Sequence, residues 1–578
     1  MPMRKLWVSR WWLVLSISIG GLGAANSGAQ SASPASSQAN TARTNQFNVL
    51  DFGARADGQT LNTSAINAAV LAAAKVGGGT ITFPPGRYRT GTVRLVSNIT
   101  LELQAGAVLE GSKELADYGD IKDYGLGRVY GTNSSGEGNK VGIVFARNVE
   151  NVSIIGPGVI DGNGDSFFDP STPHFSMDFD PSVTRQGQRS LDALHMTGDG
   201  PIAAKPSGRP GTMILCFDCK NVTIRDVTFR NAPNWTAHFQ NVERAAVSGL
   251  HVLNNPLIPN NDGFDCFSCK DVHFSDCDIH TGDDDFAIVN SVDVTVANCT
   301  LSSRSSGIRL EASQFNMFEN LTIHSNRGIA IYERGFGKTD HISFANIRIE
   351  TQLFTGHWWG KGEPIYIAVG KPQAAGSGEI SNVTFSNVSG DAESSIVLYG
   401  HPDAWLRNIV LDNVHFTVRT SRIDVSDLVG GNFDFRWTAT DLKGAVFKHD
   451  IPGIYGRYID GLHIQNSSIA WEKPASEFFS SGVELEDFRN LDVSVFRGSN
   501  APGAKAAVFL LRNGNGVSIR NSTAEPGTNV FLDARGVSGK RLLMNNDLSS
   551  AATVLKGHAV QFTQRGNYTG REHVQPVR

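Results

Sequence analysis

The feature that most constrains this chain is a short motif, apolar-x-apolar-x-Asn/Asp-x-x-apolar, that returns along most of its length. It reads NVSIIGPGVI at 151–160, NVTIRDVTFR at 221–230, DVHFSDCDIH at 271–280 and DVTVANCTLS at 293–302. Further copies are HISFANIRIE at 341–350, NVTFSNVSGD at 382–391, NIVLDNVHFT at 408–417 and GVSIRNSTAE at 516–525. Alternating apolar residues followed by a polar corner are the pattern of short β-strands. Anchored on Val222, Ala245, Val272, Val294, Asn316 and Ile342, the copies are 23, 27, 22, 22 and 26 residues apart. Helical repeats need longer periods and helical faces, which are absent. A strand-only period of this size predicts an all-β fold, a right-handed parallel β-helix. A solenoid of this kind escapes the size limit of one globular core, so 578 residues fit a single elongated domain.

The start of the chain reads differently. Arg4, Lys5 and Arg10 precede a short apolar run from Trp11 to Ile19, and Ser27-Gly28-Ala29 supply small residues, so 1–29 is expected to be a secretory signal. Residues 30–44, rich in Ser, Ala and Thr, are expected to be a disordered leader, with the β-helix running over 45–570. The protein is then secreted or periplasmic, with no membrane attachment after cleavage, and is expected to be a monomer. A helix is predicted near 63–75, capped by Asn62 or Thr63 with an apolar stripe of Ile66, Val70, Leu71 and Ala74. It would cover the open end of the solenoid. With 51 basic against 56 acidic side chains, the charge balance argues against a nucleic-acid partner.

The six cysteines include two CxxC pairs, Cys216/Cys219 and Cys266/Cys269, but the register favours a structural role over zinc. Cys277 and Cys299 occupy equivalent positions 22 residues apart and should stack on adjacent coils. The same register aligns NNDGFDCFSCKDV with GDDDFAIVNSVDV, placing Phe264 over Phe286 and Asp262 over Asp284. Ser306 and Arg327 continue this column, with Asp283 beside Asp284. Carboxylates stacked one strand apart cannot all ionise cheaply, so their pKa values should separate, which divides acid and base roles among like groups. A structural Asp ladder at the coil corners is the alternative reading of the same column.

Across about 47–420 the chain resembles the polygalacturonase family of glycoside hydrolases, family 28, whose fold is the pectin-lyase-like solenoid. The resemblance rests on NVLDFGARADGQTLNTSAINAAV, GGGTITFPPGRY, NVSIIGPGVIDGNG, NAPNWTAHF, NNDGFD and TGDDDFA. The family's Asn-Thr-Asp motif matches Asn260-Asn261-Asp262 and its Gly-Asp-Asp motif matches Gly282-Asp283-Asp284. The resemblance implies a glycosidase acting on an acidic pectic polysaccharide, with Asp283 as general acid and Asp262 and Asp284 activating water, without metal or organic cofactor. It implies inversion, hence an acid standing about 6.5–9.5 Å from the base pair.

Two departures bear on the substrate. The Gly-His-Gly motif corresponds to Ser305-Ser306-Gly307, and the Arg-Ile-Lys motif to Ala330-Ile331-Tyr332, so a histidine and two cations are missing. A rhamnogalacturonan-like or other branched pectic glycan joins galacturonan as a candidate. Residues expected to contact it are Asn260, Arg309, Glu311, Arg327, Tyr332 and the adjacent Trp358 and Trp359 of the insertion around 351–378. Arg309 and Glu311 are equally readable as a solvated pair, and the tryptophans as folded inward. Residues 163–212 form a second insertion that could wall the cleft, and His238 is expected to pack rather than titrate. Rival readings are a Ca²⁺-dependent lyase on the same fold and a non-catalytic glycan-binding solenoid.

Overall fold

The computed structural model describes residues 45–124, 140–173, 185, 187, 200–334, 337–354, 358–370, 378–421, 430–435, 446–557 and 561–570. The proposed signal segment and leader lie outside these. Successive coils pair in parallel throughout the large sheet, with outermost strands Gln46–Asn48 and Thr563–Arg565, and the architecture is a right-handed parallel β-helix. The register is the one the repeats require. Val222 pairs with Ala245, Ala245 with Val272, and Val272 with Val294. Past the insertion, Ile342 pairs with Val383 and Val383 with Ile409.

Along the strands one set of side chains points inward, and in places like residues stack in columns. Phe318, Phe344 and Phe385 form such a column, with ring centroids 4.8 and 4.9 Å apart. Its spacing is that of the strands themselves. The polar corner of the motif has an equally specific function. Asn298, Asn320, Asn346, Asn387 and Asn413 all take left-handed backbone angles, φ between 55° and 56°. Asn tolerates that conformation better than other residues with a Cβ. From Asn320 onward each side-chain amide donates to the Oδ1 of the Asn one coil earlier, over 3.1, 3.2, 3.0 and 2.8 Å, and Asn298 donates to Asp276 Oδ1 at 3.3 Å.

The helix at the start spans Thr63–Lys75. It buries Ile66, Ala69, Val70 and Ala73, whereas Leu71, assigned to the apolar stripe, is exposed. Asn62 precedes it without capping by its side chain; its Oδ1 instead accepts from the Arg55 amide at 2.7 Å. Cys277 and Cys299 do stack, both buried and close enough to perturb each other's thiol. Cys216 and Cys266 lie two coils apart with Phe239 between them, and the Cys216 thiol is pushed up first by Cys219, then by burial, with Cys269 adding least. No helix among the described residues is long and apolar enough to cross a membrane.

The ladder generates a stability prediction. Asn346→Ala removes two ladder bonds and forces Ala into the left-handed region, and should cost about 2 kcal/mol. Asn346→Gly relieves the backbone cost and should lose roughly half as much. Urea denaturation of the two variants checks the order; equal losses would exclude the backbone contribution.

Candidate active site

The site is built on the outward face of consecutive strands Ala237–Gln240, Phe264–Phe267, Phe286–Val289, Ser306–Glu311 and Arg327–Glu333. Phe264 pairs with Phe286 and Phe286 with Ile308, which sets Asp262, Asp284 and Ser306 at equivalent positions just before their strands or at the strand start. Ser306 pairs in turn with Arg327. One carboxylate oxygen from each of Asp262, Asp283 and Asp284 lies within 4.8 Å of the others, and all three residues are buried. The expected separation of 6.5–9.5 Å between acid and base is therefore not what the structure has. Adjacent coils force the carboxylates together, because a strand spacing is under 5 Å.

Each carboxylate has its own surroundings. Asp283 Oδ2 accepts from the Asn260 backbone N–H at 3.1 Å, from Asn260 Nδ2 at 3.3 Å and from Trp359 Nε1 at 3.3 Å. Its Oδ1 accepts from the Asp284 amide at 3.0 Å. Burial, then the charge of Asp284, push its pKa up to about 7 against these stabilising donors. Asp284 Oδ1 accepts from Ser305 Oγ at 3.0 Å and from the Ser306 amide at 3.1 Å, while Arg309 Nε stands 4.0 Å from its Oδ2. Asp262 is raised well above the carboxylate range by burial and then by Asp283, and its Oδ1 is buried without a hydrogen-bond partner. Asp262 and Asp283, each raised by burial and by a neighbouring carboxylate, retain a proton between them near neutrality.

Two further aspartates belong to this cluster and were missed by the sequence reading. Asp265 is fully buried with neither carboxylate oxygen hydrogen-bonded, and burial raises its pKa although Arg309 opposes the rise. Strand alternation was the available signal, since Phe264 points inward and Asp265 must point outward. Asp285, also fully buried, accepts from Thr281 Oγ1 at 2.9 Å. Arg209, from the insertion expected to wall the cleft, instead lies beneath it. Its Nη1 donates to the Pro233 and Pro259 carbonyls at 2.9 Å each, bracing the turn that carries Asn260.

Several residues expected to meet the substrate are committed elsewhere. Arg327 binds Glu363 through Nε at 3.1 Å and Nη2 at 3.0 Å, donates to the Tyr332 hydroxyl, and lies over the Tyr366 ring. Arg327 and Tyr332 are thus buried and engaged with Glu363 and with each other. Trp358 is 2% exposed, so one of the paired tryptophans is folded down, while Trp359 stays half-buried against Asp283. Arg309 and Glu311 are paired at 3.1 Å, but as a buried pair and not a solvated one. Arg334 also binds Glu311, and the two cations overcome burial to hold its pKa down. His238, packed edge-on against Trp235 and Phe267, is pushed down by burial to about 3 and stays neutral.

The raised pKa of Asp283 has a consequence for stability. A carboxyl held above its ordinary value contributes fully below about 4, and that contribution is lost as pH rises through about 7. Asp283→Asn should therefore gain in melting temperature relative to the parent across this window. Melting curves at pH 4 and pH 8 measure the gap; a gap that does not widen with pH contradicts the raised value.

The chain is similar to known proteins over part of its length. Residues 197–427 match the model of Glycosyl hydrolases family 28. A probable polygalacturonase of Vitis vinifera is 30% identical over 258 residues, 43% of this chain and 45% of that protein. An exo-poly-alpha-D-galacturonosidase of Dickeya chrysanthemi is 29% identical over 259 residues, 41% of each. The chain thus spans less than half the length of these two relatives. In structure, the family 28 exopolygalacturonase of Yersinia enterocolitica superposes with a TM-score of 0.53 over 78% of each chain at 17% identity, a likeness of fold. The stretch that supplies every aspartate of the cluster lies within residues 197–427, the part of the chain that matches the model of Glycosyl hydrolases family 28.

Proposed function

We propose that this chain is an exported glycosidase that hydrolyses a pectic, uronate-bearing polysaccharide at the Asp262–Asp283–Asp284 cluster. The carrying observation is the cluster itself: three buried carboxylates with oxygens within 4.8 Å, of which Asp283 titrates near 7. A carboxyl poised there can protonate a leaving oxygen at neutral or mildly acidic pH. Asp283 is assigned as that acid. Asp284, fixed by the Ser305 hydroxyl and the Ser306 amide, and Asp262, with one oxygen open, are assigned to the attacking water.

Inversion is the outcome that the family resemblance implies, and the crowding of the carboxylates does not by itself support it. The substrate side is argued from what is missing as well as present. Ala330 and Tyr332 offer no cation, and Arg309 is the guanidinium nearest Asp284, already shared with Glu311. That favours a pectic chain in which not every sugar is charged, of rhamnogalacturonan type, over plain galacturonan. Export by the N-terminal 29 residues fits such a substrate, which lies outside the cell that makes the enzyme.

Asp283→Asn should lower kcat on pectic polysaccharide by about 10²–10⁴-fold, the usual worth of a general acid, with little change in binding. The parent should lose activity as pH rises through about 7, when the acid deprotonates. Ser306→Ala should stay within a fewfold of the parent, because Ser306 holds Asp284 through its amide, which Ala retains. Proton NMR of the first product reads the anomeric configuration; retention would overturn the water-activating assignment. The same carboxylates are also the group of three among the described residues able to hold a cation, so Ca²⁺-dependent elimination is the second reading. It requires loss of activity with a chelator and an unsaturated, ultraviolet-absorbing product, and hydrolysis requires neither. Binding without turnover, unchanged by Asp283→Asn, would make the chain a glycan-binding solenoid.

A further inference from the structure

The outward column that carries Arg309 does not end at the aspartate site. It runs through Ala330, Tyr366, Val397, Tyr455, Glu484, Leu510 and Asp533 to Lys556, each paired with the next. From the strand of Asp284 to that of Glu484 is six strand spacings, about 29 Å. Between them the antiparallel hairpin Asn432–Asp434 and Val446–Lys448 sits on this face. Phe433 packs on Tyr455, and Phe435 on Tyr366 and Tyr399. Beyond the hairpin lies a separate cleft of about 420 Å³.

The lining of that cleft is cationic in a chain whose net charge is −5. Arg185, Lys448, Lys505, Arg512, Arg535 and Lys556 face it, against three acids, Asp450, Glu484 and Asp533. The acids are taken by the guanidinium groups: Arg185 on Asp450 at 2.7 Å, Arg512 on Glu484 at 2.8 Å, and Arg535 on Asp533 at 2.8 Å. No ion pair among the described residues engages Lys448, Lys505 or Lys556, and their charges remain for a ligand. Beside them Ser480 and Ser481 are buried, and both hydroxyls lack a hydrogen-bond partner. Buried hydroxyls without partners are costly, and here they line a polar, roomy cleft where a ligand can satisfy them.

We propose that this cleft is a second binding site for a carboxylate-bearing oligosaccharide, distinct from the aspartate site and set on the same face of the solenoid. The lysines neutralise uronate carboxylates, and Ser480 and Ser481 bond to sugar oxygens. Arg512 and His449 hold Glu484 away from the ligand, since both reach its Oε1, at 2.8 and 3.5 Å. Resting on the pectic reading of the aspartate site, the ligand is a second stretch of the same polymer. Held about 29 Å from the cluster, it keeps the chain near the site between cleavages.

The test uses the full chain carrying Asp283→Asn, so that nothing is cleaved, titrated calorimetrically with trigalacturonate. Two sites should be seen. Lys505→Ala with Lys556→Ala in that background should weaken one of them roughly tenfold, as expected for two exposed ion pairs, and raised salt should do the same. Neutral galactan trimer should leave the cleft empty, and inorganic phosphate at equal concentration should not displace the uronate. A single site unaffected by the lysine pair overturns the proposal, as does displacement by phosphate, which would make the cleft a general anion site. With Asp283 restored, the lysine variant should raise KM for long pectic polymer and leave kcat on a trimer unchanged. Lysine-dependent uronate binding in a protein that hydrolyses nothing would sink the glycosidase reading and sustain the cleft. Hydrolysis with one uronate site would do the reverse.

Discussion

Everything in this molecule depends on parallel strands keeping register from coil to coil. The corner asparagines enforce it, because each ladder amide can reach its partner only when the coils are aligned residue over residue. A slip by one residue would break the ladder and turn every inward side chain outward. The inner phenylalanine columns and the outer polar columns are two results of that one constraint. It also explains why loops as large as the one between Ile342 and Val383 are accommodated, since the chain re-enters the same register after them.

Register is also what creates the electrostatic tension of the site. Strands under 5 Å apart bring Asp262 and Asp284 together whether or not their charges agree. The backbone amides of Asn260, Asp284 and Ser306, with the Trp359 indole, supply fixed donors to these carboxylates without adding charge. Arg309 is the cation at their edge, and Glu311 already claims part of it. The cluster is thus left short of positive charge, and a proton makes up the difference. That is an unfavourable arrangement for folding and a useful one for acid chemistry.

The fold was legible because its signal is repeated many times and each copy checks the others. The stacking of Asp262, Asp284, Ser306 and Arg327 followed from simple counting, as did the Cys277–Cys299 pair. What counting could not give was the direction of a side chain within an insertion. Trp358 and Trp359 are neighbours with opposite fates, one buried and one on Asp283, and nothing in HWWGK distinguishes them. Arg327 looked like a free cation because its partner, Glu363, sits 36 residues away in that same insertion. The 6.5–9.5 Å separation usual for an inverting pair is overruled here by strand spacing, which holds the carboxylate oxygens within 4.8 Å. Asp265 could have been found, since alternation alone sends it outward.

The unbroken outward column has one more implication. On most scaffolds, distances between surface groups drift continuously as loops lengthen or bend. Here the axis is graduated like a ruler, and anything fixed to the strands can be moved along it only by adding or deleting a whole coil. Relative to the aspartates, then, strand-borne features along this face stand at multiples of a strand spacing, about 4.8 Å. Variation in such a protein is stepwise along its length and free only at its rim.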